Sequence, residues 1–535
     1  MDSFSLVDEP WVIVLTDEDA TETVSLLELF RRAHEIREVV GDLPTQGFAI
    51  LRLALAVFAR AFGGPPTRKA WESLWAQNRP DPRPVEEYLA RHRDRFDLFH
   101  PRTPFFQTAG LRTAKGGFSG LERLVADIPA GAQYFTTRAG RGLERLDAAE
   151  AARWLVHLQA YDPSGIKSGA LGDPRVKGGK GYPIGVGFAG NLGGLWVDGG
   201  DLWRTLLLNS PPWDQRGVQR DREDRPAWEA TPPTPAEADD VDDRPYGPLD
   251  LYTWQSRRVL LHRDGDQVDG VLVTNGDKLT PQNLHRREPL TAWRKSEAQA
   301  RKLGGVVYMP REHRPGHALW RGLATLLPLS APRGRAESGP PALTAAVVEW
   351  AGEVLGVRET VALRTAGMVY GVQSSIVLDV VEDRVMLPAA LLGAQRRDLA
   401  ACVVEAVAAT ENAVRAVGRL ATDLARAGGA RESATTDGAR DELERLAYAD
   451  LDAAFRRWLV ELGPDVDLDT RLTAWHHEAA GRLVRLAAEA VRAAGPVAWV
   501  GREVNGRHLS TPQAEARFRA ELRRALPLSV TEEVA

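Results

Sequence analysis

GVGFAG, residues 185–190, is a literal match to the glycine fingerprint of dinucleotide-binding enzymes, and GGK, residues 178–180, looks like part of a phosphate loop. Both lie in DPSGIKSGALGDPRVKGGKGYPIGVGFAGNLGG, residues 162–194, where eleven of thirty-three residues are glycine. The fingerprint works only with a buried strand before it and a helix after it, so that phosphate rests on a helix N-terminus. Here only Tyr182-Pro183-Ile184 precedes it and Asn191-Leu192-Gly193-Gly194 follows. A Walker loop needs Ser or Thr after its lysine, and Gly181 stands there. Neither motif predicts a nucleotide site.

The remaining catalytic candidates fail on spacing. His262-Arg263-Asp264 matches the kinase catalytic triplet, but Asp269 stands where asparagine is needed and no DFG follows. A hairpin turn at Asp264-Gly265-Asp266 is the better reading. His476-His477-Glu478 lacks the HExxH spacing, and adjacent helical residues point about 100° apart, so an ordinary helix surface is expected. No Ser/His/Asp or paired-carboxylate arrangement stands out, and the chain is expected not to be an enzyme. Cys402 is the one cysteine, which rules out an internal disulfide and a cysteine-based zinc site. No cofactor is expected, and the cysteine usage suits a reducing cytoplasm.

What remains is bare backbone interleaved with Lys167, Arg175, Lys177 and Lys180. Glycine lets backbone approach a partner closely and frees its N–H groups to donate. Basic residues beside it favour phosphate or nucleic acid. A surface loop packed on its own chain is equally compatible with these features. The net charge of −5 and pI near 6.2 restrict any nucleic-acid binding to local patches.

At 535 residues the chain is long enough for two or three domains. A first strand is predicted at Trp11 to Leu15, without the basic start of a signal peptide. Apolar spacing predicts a helix over 47–64 that stops at paired glycines. It predicts a second in LDAAEAARWLVHLQAYDPSG, residues 146–165, capped by Asp147 with Glu150 three residues on, ending at Gln159 with Pro163 past its end. Residues 221–248 are rich in proline and acid and read as a long surface loop of mobile composition. A β-hairpin follows at 257–277 and another apolar, β-branched run at 367–387. From about residue 388 the composition turns to Ala, Leu, Arg and Glu. Four helical patterns follow, the last opening at Thr511-Pro512 as cap and first-turn proline, which predicts an antiparallel bundle. No window approaches 18 uninterrupted apolar residues, so no membrane span is expected and a cytoplasmic location is.

In order along the chain, FSLVDEPWVIV, VSLLELFRRAHEIREVVGDLPTQGFAILRL, HPRTPFFQT and the glycine stretch running on to DLWRTLLLN resemble the CasA large subunit of the type I-E CRISPR Cascade complex. The similarity extends over most of the chain. It implies an α+β protein: a large mixed α/β N-terminal domain, residues 1–385, followed by a C-terminal antiparallel four-helix bundle, residues 386–535. It implies a noncatalytic subunit that recognises the PAM in double-stranded DNA through the minor groove, starts duplex unwinding for R-loop formation and helps recruit the helicase-nuclease. The partners implied are the backbone, handle-binding and small Cascade subunits, the crRNA, PAM-bearing duplex DNA and the helicase-nuclease, with no membrane. Protospacer reading is left to base pairing with the guide. The alternative is a purely structural assembly subunit with no DNA contact.

Site residues follow from the resemblance. AQYFTTRAG places a loop at the crRNA handle and PAM end on Phe135, Thr137 and Arg138. The minor-groove glycine loop falls on Ser164 to Gly169, with Gly165 and Gly169 as bare backbone and Lys167 and Ser168 between them; GVGFAG is the second possible placement. TNGDKLT places the lysine finger on Lys278, a long donor suited to minor-groove acceptors but weakly discriminating. MVYGVQSSIV places the duplex-splitting wedge on Gly371, Val372 and Gln373. Relatives with clustered cysteines could hold zinc; here none is expected. Arg517, Arg519, Arg523 and Arg524 read equally as a solvated helix face and receive no site role.

Overall fold

The computed structural model describes residues 3–64, 67–77, 79–128, 144–212, 218–327, 340–393 and 395–529. Phe135, Thr137 and Arg138 lie outside the described residues. The chain forms two compact units. The first comprises Met1–Pro315, Pro332–Ala351 and Ala362–Arg384; the second comprises Gly316–Ala331, Gly352–Val361 and Val385–Ala535.

The first unit opens with strands Val12–Thr16, Thr21–Val24 and Ile36–Val39, paired antiparallel with Val12–Thr16 in the middle. Helix Pro44–Ala61 follows, and every residue from Thr45 to Ala59 is buried. A helix apolar on all sides belongs in a core. Its one buried charge, Arg52, is matched by Glu288 at 2.8 Å and lies over the Tyr252 ring. Helix Ala148–Tyr161 packs against it, and the Asp147 carboxylate accepts from the Glu150 amide at 2.7 Å as its cap.

Two hairpins complete the frame. Strands Arg257–Asp264 and Gln267–Asn275 pair antiparallel around Gly265 and Asp266, with Gly265 at φ +66°. Strands Thr360–Tyr370 and Val377–Pro388 form one sheet with Gly194–Asp198, Thr360–Tyr370 in the centre. Residues 221–247 lack regular secondary structure, and helix Pro248–Tyr252 begins at the last residue of the expected loop; the stretch is pinned rather than loose. Trp228 is buried and donates to the Tyr88 hydroxyl. The largely buried acids are matched by arginines: Asp224 with Arg220 at 2.8 Å and Glu229 with Arg60 at 2.6 Å. Acid-rich composition mimicked a mobile loop because the pairing cations are scattered through the sequence.

In the second unit, helices Arg397–Gly428, Ser433–Val460, Leu468–Ala493 and Thr511–Ala525 carry the fold. The first ends at Gly429, φ +110°, a left-handed C-cap. Trp320, Phe455, Trp458 and Trp475 form an aromatic cluster, and the Trp475 indole donates to the Thr410 hydroxyl at 2.9 Å. Two local expectations are corrected. The last helix is capped by Ser510 in a capping box with Gln513, and Thr511 is a buried first-turn residue. His476 is buried and its ring nitrogen accepts from the Leu528 amide, while His477 alone faces solvent. The 100° step between neighbours separates them as well from each other as from any shared ion. A short hairpin, Arg502–Val504 with Arg507–Leu509, intervenes before the last helix. Among the described residues, no helix is long and apolar enough to cross a membrane.

Candidate nucleic-acid interface

The glycine stretch leaves helix Ala148–Tyr161 at Asp162, and its first turn is tied down by charge. The Asp162 carboxylate meets Lys167 Nζ at 2.5 Å and Arg257 Nε at 2.5 Å, and all three side chains are largely buried. Burial would raise the Asp162 carboxyl, but the two cations beside it prevail and hold it below the ordinary carboxylate range. Burial likewise lowers Lys167, partly offset by Asp162. Lys167 also donates to the Pro163 carbonyl at 3.1 Å. Its ammonium therefore closes the Ser164–Gly169 loop on itself. Asp162 is the residue that sequence reading passed over; an acid opening an otherwise basic stretch was its signal.

Gly165 adopts φ +147° and faces open space, whereas Gly169 is needed for a close approach. A Cβ at Gly169 would lie 2.4 Å from Val176 Cγ1, and the Gly169 amide donates to the Gly179 carbonyl at 2.9 Å. Lys167–Ser168 pairs antiparallel with Lys180–Gly181, so the loop continues into a small hairpin.

GVGFAG is structural. A Cβ at Gly187 would lie 2.5 Å from the Ala160 carbonyl carbon, and one at Gly190 would lie 2.3 Å from the Tyr370 hydroxyl. Phe188 is buried, and only the short 3-10 turn Phe188–Asn191 follows, not a phosphate-facing helix.

The hairpin tip carrying Gln373 meets the glycine loop directly. Gly371 leads into a 3-10 turn at Val372–Ser374, where Gln373 and Ser374 take φ +57° and +53°. The Ser164 amide donates to the Ser374 carbonyl at 2.8 Å, and the Tyr370 hydroxyl donates to the Tyr161 carbonyl at 2.7 Å. Val372 is 82% exposed, so the tip presents an apolar side chain and an amide side chain to solvent. Between loop and hairpin lies a cavity of about 170 Å³ lined by residues including Leu124, Leu158, Ile166 and Ile376.

Lys278 reaches the same region through Arg175. That guanidinium donates to the Gly276 carbonyl at 3.0 Å and pairs with Glu237 at 2.9 Å. Glu237 in turn accepts from the Lys278 amide at 2.7 Å. The preceding Asp277 is buried against Arg258 and Arg244. The Lys278 backbone is thus clamped while its side chain stays exposed, with no acidic partner among the described residues. The arrangement joins bare backbone, a free ammonium and a rigid exposed tip, which suits a grooved polyanion. On the last helix, Arg517 pairs with Asp423 and Glu521, and Arg519 pairs with Glu515.

A CRISPR-associated protein Cse1 profile matches residues 5–486. The chain belongs to the Cse1 family. It is 28% identical over 492 residues to CRISPR-associated protein CasA/Cse1 of Thermus thermophilus, covering 88% of this chain and 89% of that protein. Its fold matches Thermobifida fusca Cse1 with a TM-score of 0.89 at 43% identity, over 99% of both chains. It also matches a chain of a CRISPR RNA-guided surveillance complex, with a TM-score of 0.65 at 21% identity over 92% of this chain and 99% of that one. The family inferred from the sequence and the α+β fold expected of it are the ones found, and the glycine loop and Gln373 hairpin described above belong to a Cse1 chain.

Proposed function

We propose that this chain is the noncatalytic large subunit of a type I-E RNA-guided surveillance complex. In this reading it recognises the PAM of duplex DNA through the minor groove, starts unwinding and helps recruit the helicase-nuclease. The observation that carries the reading is the Ser164–Ser374 hydrogen bond, which sets the glycine loop beside the Gln373 tip. Lys278 is tied into the same surface through Arg175 and Glu237. Open backbone at Gly165 admits a groove wall, and the Lys278 ammonium supplies a donor to the acceptors on its floor. The exposed Val372-Gln373 tip acts as a wedge whose unstacking cost of a few kcal/mol is offset by new contacts and guide pairing.

Lys278→Ala and Gln373→Ala, each placed in the complex assembled with its guide RNA, are expected to slow R-loop formation on a PAM-bearing duplex while assembly is unchanged. Unchanged R-loop formation in both variants would overturn the assignment. Crosslinking from PAM-position bases separates this function from a scaffold role, which predicts no crosslink to this chain.

A further inference from the structure

The GGK motif, set aside as a phosphate loop, forms the tip of the small hairpin beyond the glycine loop. Lys177 and Lys180 are bridge partners, each amide donating to the other's carbonyl at 3.1 Å. Between them Gly178 and Gly179 take φ +58° and +72°, the two left-handed residues of a type I′ turn. Lys177 and Lys180 therefore sit directly opposite one another, with Cα atoms about 5.5 Å apart and side chains on one face.

Like charges placed directly opposite destabilise a hairpin. The other two cations of this stretch are neutralised within the chain, Lys167 by Asp162 and Arg175 by Asp173 at 2.9 Å and Glu237. Lys177 and Lys180 are exposed, and neither has an acidic partner among the described residues. The turn that holds them is anchored: Arg175 donates to the Gly276 carbonyl, and the Asn275 side-chain Nδ2 donates to the Tyr182 carbonyl at 2.6 Å. Outward of Gly178 and Gly179 nothing lies within 4 Å of where a Cβ would stand. A backbone-anchored turn that sets two unpaired ammonium-bearing side chains on one face, with bare backbone between them, suits closely spaced anions.

We propose that Lys177 and Lys180 clamp the phosphate backbone of the target duplex beside the groove that the glycine loop enters. The inference rests on the PAM-reading function proposed above and adds to it a sequence-independent contact. The duplex is favoured over the guide RNA because this hairpin is continuous with the Ser164–Gly169 loop and tied to the strand end that carries Lys278. Phosphate contacts set register and carry no base information.

Two lost phosphate contacts change the slope of log affinity against log salt by about 1.8. The test compares wild-type, Lys177→Ala/Lys180→Ala and Lys177→Arg/Lys180→Arg chains in the full complex. The probes are a PAM-bearing duplex and a PAM-altered duplex across ~50–200 mM salt. The double alanine chain is expected to bind more weakly at low salt and to flatten the slope by about 1.8. The wild-type advantage should then shrink roughly tenfold across that range. Discrimination between the two duplexes should be unchanged, and the arginine pair should keep the wild-type slope. An unchanged slope in the double alanine chain would overturn the inference, as would reduced guide-RNA loading with an unchanged DNA slope. A wild-type complex that fails to distinguish the duplexes would overturn the parent function, and the salt slope would still decide this contact.

Discussion

The Ser164 amide is hydrogen-bonded to the Ser374 carbonyl at 2.8 Å, which joins two turns that lie far apart in the sequence. Ser374 and its neighbour Gln373 are both held in left-handed backbone. The tip is therefore a specified shape, supported from below by the glycine loop, and its side chain and its backbone can be separated by substitution.

Gln373→Ala removes the side chain and keeps the strained backbone, whereas Gln373→Gly removes both. A non-glycine residue in this region costs roughly 1–2 kcal/mol, partly offset in the glycine variant by its freer unfolded chain. Thermal melts are expected to place the glycine variant at or above the alanine variant. R-loop assays should show both equally impaired. A glycine variant that opens duplex as well as wild type would mean that the amide side chain is not the wedge.

The elements were legible where one local pattern decides them. Helix Ala148–Tyr161 has its Asp147 cap, the hairpin of Arg257–Asp264 and Gln267–Asn275 has its Asp264-Gly265-Asp266 turn, and the bundle helices have their apolar stripes. The candidate site was legible only in pieces. Asp162 and Asp173 each stand a few residues before a lysine, so Lys167 and Lys177 look alike in sequence; only the fold shows that Asp162 takes Lys167 while Asp173 takes Arg175. GVGFAG was dismissed on context, but its actual work, letting Ala160 and Tyr370 approach, rests on long-range packing.

Gly165 and Gly169 are expected to fail differently when replaced by alanine. Gly169→Ala drives a methyl against Val176 and the Gly179 backbone, an overpacking cost of about 1–3 kcal/mol. Gly165→Ala meets open space but must hold φ +147°, a strain on the order of 1–3 kcal/mol. The companion change Val176→Ala should restore part of the stability of Gly169→Ala and none of that of Gly165→Ala. Denaturant midpoints of the four chains check this, and equal rescue of both would refute the assigned clash.

The Asp162 cluster gives an ordered stability series. Asp162→Ala strands two buried cations, and breaking a buried pair in this way costs about 3–5 kcal/mol. Lys167→Ala leaves Asp162 paired with Arg257, so a smaller loss is expected. Equilibrium unfolding of the isolated chain measures both. A Lys167→Ala chain with wild-type stability but weakened DNA binding in the complex would show instead that the ammonium leaves Asp162 for DNA.

His157 makes the first unit acid-sensitive. It is buried, its Nε2 meets the Thr45 hydroxyl at 3.0 Å, and its Nδ1 has no partner. Burial pulls its pKa down to about 3 from an ordinary 6.5, with Asp162 pulling weakly the other way. The unfolded chain takes up this proton first, so the stability contribution is complete above pH 6.5 and is lost as pH falls toward 3. At about 1.4 kcal/mol per unit the loss reaches roughly 5 kcal/mol as an upper bound. Asp224, raised by burial to about 6, opposes this slope between the ordinary carboxylate range and pH 6, and it does so in any His157 variant. The difference between wild type and His157→Gln therefore isolates the histidine. Unfolding free energies measured from pH 7 down to pH 4 should fall less steeply in the glutamine chain. Parallel curves would mean that the buried imidazole takes up its proton without unfolding its surroundings.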